Sequence, residues 1–89
     1  MTAAEIKALR EDLNLNQVEF AQLAGVHPIT VSKWERNAAE PTAYQNALFG
    51  QFREGARDKD VRLTLKTVLI TAGVIIAVAL LLKHLMKGK

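Results

Sequence analysis

A chain of 89 residues leaves room for one small globular unit at most, which excludes a two-domain enzyme. The absence of cysteine excludes disulfide staples, thiolate metal sites and a cysteine nucleophile, and His27 and His84 cannot hold a zinc ion by themselves. The formal charge of +3 is unevenly placed: residues 1–60 carry seven basic and nine acidic side chains, residues 61–89 five basic and none acidic, so the basic balance belongs to the C-terminal part.

Thr2 followed three residues later by Glu5 is a capping box, and it predicts a helix from about Ala3 with Ile6, Leu9 and Leu13 on one face. Asn16 and Glu19 repeat the pattern and open a second helix that buries Phe20, Ala21 and Ala24 and ends at Gly25. Pro28 suits the first turn of a third helix, where its missing N–H costs nothing, with Val31 and Trp34 on the inner face. Asn37 tolerates the left-handed conformation that stops it. Beyond Pro41, Thr42 to about Arg57 again has helical spacing, with Tyr44, Ala47, Leu48 and Phe52 directed inward. No strand-like alternation and no internal repeat occurs, so the expected class is all-α, with a compact four-helix head over residues 1–52.

Residues 67–82, TVLITAGVIIAVALLL, carry no charge and are apolar around the whole helix circumference. At 1.5 Å per residue they reach about 24 Å, whereas Leu63 to Met86 reaches about 36 Å, enough for a bilayer if Lys66 and Lys83 extend to its two interfaces. The expectation is a single membrane-spanning helix over 63–86, after a charged juxtamembrane linker at 53–62 and before a short basic tail at 87–89. Arg53, Arg57, Lys59, Arg62 and Lys66 precede the span and Lys83, Lys87 and Lys89 follow it, a bias that puts the N-terminal head in the cytoplasm. The preceding basic run either meets anionic lipid or forms a solvated helix face, and His84 is an interfacial residue. Gly73 and Ala77, small residues four apart, are nominated for close packing between two such helices and hence for a homodimer. The other reading of the apolar run is a last helix buried within a bundle or an assembly, which a head of about sixty residues would have to cover.

Two short helices joined through Ala21, Gly25 and Val26, with Val31 and Trp34 at a fixed distance beyond, have the pattern of a helix-turn-helix. Residues 4–41, above all LNLNQVEFAQLAGV followed by TVSKWERN and Pro41, resemble the Xre/Cro-type helix-turn-helix family of phage repressors and bacterial regulators. Arg10, Gln17, Ala21, Gly25, Val31, Trp34, Glu35 and Pro41 stand at its signature positions, while Asn37 replaces the usual glycine. The resemblance implies that Arg10 and Glu35 form a structural pair tying the first helix to the end of the third. It further implies that Gln17 meets a phosphate or a base edge, and that Pro28, Ile29, Thr30, Ser32 and Lys33 face the major groove of double-stranded DNA. Lys33 would donate to guanine, Thr30 and Ser32 to phosphate or bases, and Ile29 would touch a thymine methyl, with Arg36 as a phosphate contact. Pro28 and Ile29 stand where long amides or arginine often supply bidentate readout, and the acidic head lacks a broad basic footprint.

The function implied is a membrane-tethered, DNA-binding transcriptional regulator in the inner membrane of a bacterial or phage-infected cell. Two alternatives share the architecture. In the RodZ family of bacterial rod-shape proteins, a similar head before one membrane helix binds a cytoplasmic protein partner of the cytoskeleton; in a phage or mobile-element protein the apolar helix would drive assembly. Ser32 has no base at a useful spacing, and no glycine-rich phosphate loop occurs, so neither an enzyme nor a cofactor is expected. His27, at the corner before Pro28, is read as a turn residue, with a pH switch or a phosphate contact as the sharper alternative.

Overall fold

The computed structural model describes residues 1–82. Among them are six helices and no strand: α1 (Ala3–Asp12), α2 (Gln17–Ala24), α3 (Pro28–Glu35), α4 (Ala43–Ala56), α5 (Lys59–Ala72) and α6 (Val74–Leu81). Reciprocal caps start three of them. The Thr2 hydroxyl accepts from the Glu5 N–H at 3.1 Å while the Glu5 carboxylate accepts from the Thr2 N–H at 2.8 Å, and Asn16 with Glu19 and Thr42 with Gln45 repeat the arrangement. The Thr42 box opens α4 and has no counterpart in the sequence reading. Gly25 (φ 71°) closes α2, and Asn37 (φ 61°) follows α3, so both stops lie in the left-handed region.

Ile6, Leu9 and Leu13 from α1 and its C-cap, Phe20, Ala21 and Leu23 from α2, and Val31 and Trp34 from α3 are all buried. Phe49 sits at the centre: its ring lies 5.6 Å from that of Phe20 and 5.3 Å, edge-on, from Trp34. This corrects the inner face expected for α4. Tyr44 is 75% exposed and Ala47 is also exposed, whereas Phe49, Phe52 and Ala56 are buried. The buried stripe is turned away from Tyr44 because filling the space between Phe20 and Trp34 requires Phe49, and Phe52 and Ala56 follow it at helical spacing.

The membrane-spanning helix expected over 63–86 is not found: among the described residues no helix is long and apolar enough to cross a membrane. The apolar run is divided at Gly73, whose φ of 96° and ψ of 176° no right-handed helix can include. The two halves fold back on each other as α5 and α6, and Val61, Leu65, Leu69, Ala77 and Leu81 join the head residues in one buried cluster. One side of the run therefore packs on the chain's own core, and neither the expected single-pass inner-membrane placement nor the tether it would provide is supported. Lys83, His84, Met86, Lys87 and Lys89 lie outside the described residues. Gly73 stands at the turn and Ala77 is fully buried, so the two do not form an exposed helix-pairing face.

The segment 53–62, expected as a linker before a membrane, contains the last turn of α4 and the first of α5. Two of its cations, and Lys66 just beyond it, turn to the protein. Arg53 pairs with Asp12 at 2.8 Å, the Arg62 guanidinium donates to the Ala56 carbonyl at 2.6 Å, and Lys66 of α5 lies 3.5 Å from Glu19. At Gly55 the backbones of α4 and α6 meet so closely that a Cβ would overlap the Leu81 carbonyl. That crossing seats α6 on the head.

Candidate nucleic-acid interface

The α2–α3 corner is fixed by backbone chemistry before any side chain reaches outward. Gly25 takes the left-handed conformation, and the Val26 N–H returns to the Ala21 carbonyl at 3.0 Å, closing the end of α2. Ala21 is 1% exposed, and α2 and α3 pack against each other across this corner. Pro28 is the first residue of α3, and His27 is its N-cap: Nδ1 accepts from the Ile29 N–H at 3.1 Å. The turn-residue reading of His27 omitted this capping bond.

Val31 and Trp34 hold the inner side of α3, and the helical period then sends Ile29, Lys33 and Arg36 to the other side. Ile29 is 57% exposed, and Lys33 and Arg36 are exposed with it; Pro28, Thr30 and Ser32 are half-buried. The Arg36 guanidinium Nε donates to the Ser32 carbonyl at 3.3 Å, which lays the side chain back along α3. Val18, 53% exposed in the first turn of α2, is an apolar side chain that sequence reasoning did not single out.

Beneath this face lies a fork of charge-assisted bonds. Arg10 of α1 donates through Nε to Glu35 Oε2 at 2.7 Å, through Nη2 to Glu35 Oε1 at 3.0 Å, and through Nη1 to the Leu15 carbonyl at 3.0 Å. Gln17 joins it, its amide nitrogen donating to Glu35 Oε1 at 3.2 Å. Gln17 is thus braced at the start of α2, with one N–H and its carbonyl oxygen left for another partner. The Arg10 and Glu35 side chains are only 13% and 6% exposed. Burial pushes the Glu35 carboxyl up, but the bonds from Arg10 and Gln17, with the charges of Arg10 and Lys7, outweigh it and hold the group below its ordinary range. The same bond to Glu35 raises the Arg10 guanidinium. The pair locks the end of α3 to α1, so the outward side chains of α3 project from a fixed helix.

No group of acidic or histidine side chains able to hold a metal ion occurs among the described residues. Among known protein families, a model described as helix-turn-helix matches residues 6–44, just under half of the chain. The matched segment contains α2, α3 and the corner between them, together with most of α1. Neither a curated protein nor a solved structure matches the chain.

Proposed function

We propose that the chain is a DNA-binding regulator that lays the outer side of α3 in the major groove of a duplex. The observation that carries this reading is the matched helix-turn-helix segment, in which Val31 and Trp34 are buried and the opposite side of α3 is free. In this reading Lys33 donates to an acceptor on a base edge, guanine offering two, while Ile29 contacts a thymine methyl and Thr30 and Ser32 bond to bases or phosphate. Arg36, released from the Ser32 carbonyl, meets a phosphate, as does the remaining N–H of Gln17.

The intact chain should shift DNA flanking its own coding sequence more strongly than a scrambled duplex of the same length, at about 50 mM salt where phosphate contacts are favoured. Lys33→Ala is expected to cost about 1 to 3 kcal/mol and to relax preference at one base pair. Arg36→Ala acts on all sequences alike and lowers the salt slope by about one unit. Retention of neither duplex would overturn the reading and move the α3 face to the class of protein-docking surfaces.

A further inference from the structure

The α5–α6 hairpin has two apolar sides, and the fold uses one of them. Val61, Leu65, Leu69, Ala77 and Leu81 fill the core, while Leu63, Ile70, Val74, Ile75 and Ile76 stay 37% to 84% exposed. Leu63 and Ile70 are two turns apart on the outer side of α5, and the three remaining residues open α6 just past the Gly73 turn. Five large aliphatic side chains in so short a stretch reach the roughly 300 to 600 Å² of the largest patch on a typical monomer. With the exposed, uncharged Thr67, Thr71 and Ala79 beside them, the face is on the order of the ~800 Å² per partner that a stable dimer buries.

We propose that this outer face of the α5–α6 hairpin is where a second copy of the chain docks. Its chemistry selects that occupant. No charged residue occurs from 67 to 82, and the nearby cations Arg62 and Lys66 bond back to Ala56 and Glu19, so among the described residues this face offers no counter-charge to an acidic or basic partner. A surface recognised only by apolar fit is matched by its own copy, which presents the same residues in an isologous contact about a two-fold axis. The contact stands independently of DNA binding. Where DNA is bound, it sets two α3 faces on one particle and doubles the few cations that each supplies.

Sedimentation velocity of the intact chain across a dilution series from about 100 to about 1 µM reads the association directly. The expected result is a monomer–dimer equilibrium whose dissociation constant rises at least about tenfold in Ile70→Glu and in Ile75→Glu, and changes little in Ile75→Val. Both charged variants keep their helical circular dichroism, because both positions face outward. In a second measurement, Ile75→Cys introduces the chain's one thiol and should oxidise to a covalent dimer, whereas Glu11→Cys on α1 should not. A monomer at every concentration overturns the proposal. So does an open-ended assembly, an oligomer that both charged variants leave unchanged, or recovery of the chain on phosphatidylcholine vesicles in place of a dimer.

Discussion

Glu35 ties together three helices through one carboxylate. It accepts twice from Arg10 and once from Gln17 while its side chain is only 6% exposed, so its removal would leave the half-buried Arg10 guanidinium with the Leu15 carbonyl and no counter-charge. Glu35→Ala should therefore cost about 2 to 4 kcal/mol, somewhat less than a fully buried pair because both groups keep some exposure. Acid exposes the same contribution. A carboxyl held below its ordinary value of 4.5 adds stability that is complete above that value and lost as the pH falls through the lowered one, while Arg10 stays charged throughout. Melting temperatures of the parent chain should thus fall below about pH 4.5, and Glu35→Gln should flatten most of that slope, Glu5 supplying the remainder through its bonds to Thr2. A parent and a variant with parallel pH profiles would contradict this. At this scale the sequence was most readable. A cap needs an acceptor and an acid three residues apart, and a left-handed stop needs glycine or asparagine, so Thr2, Asn16, Gly25 and Asn37 announce their roles without knowledge of the fold. The capping bond of His27 and the third donor that Gln17 adds to Glu35 depend on where rings and amides turn, which spacing does not encode.

Helix identity was legible, but helix orientation was only partly so. Tyr44 and Phe49 both belong to an apolar pattern on α4, and the packing of Phe49 between Phe20 and Trp34 decides which of them is buried. Gly73 was harder still. A single glycine inside an apolar run is tolerated by a straight helix and equally able to break one, and the outcome depends on whether the head offers a surface to fold against. That surface exists at Gly55, and it supports a paired test. Gly55→Ala drives a methyl into the Leu81 backbone and should destabilise the chain by about 1 to 3 kcal/mol. Gly50→Ala, in the same helix with nothing within 4 Å of its added Cβ, should stabilise it by about 0.5 to 1 kcal/mol. Chemical denaturation of the two variants checks the crossing; a Gly55→Ala that gains stability as Gly50→Ala does would place α6 away from α4.

Across the whole molecule, the apolar C-terminal run and the helix-turn-helix share one hydrophobic cluster. Composition divides the chain near Asp60 into an acidic head and a basic part that holds the uncharged run 67–82, yet a burial pattern is a property of three dimensions: the same sixteen uncharged residues can meet lipid or their own head, and composition does not distinguish the two. Truncation after Asp60 removes Val61, Leu65, Leu69, Ala77 and Leu81 from that cluster and should abolish cooperative thermal unfolding rather than release a stable head. A fragment of residues 1–60 that melts as sharply as the intact chain would contradict the shared core. The central claim, that α3 presents its outer side to DNA from this scaffold, is tested most directly by amide chemical shifts of the intact, isotope-labelled chain titrated with its flanking duplex. The expected result is a continuous set of perturbed amides from Gln17 and Val18 through His27 to Arg36, with those of α5 and α6 unmoved by the duplex. Perturbations concentrated on α5 and α6, or a duplex that moves no amide of α3, would contradict it.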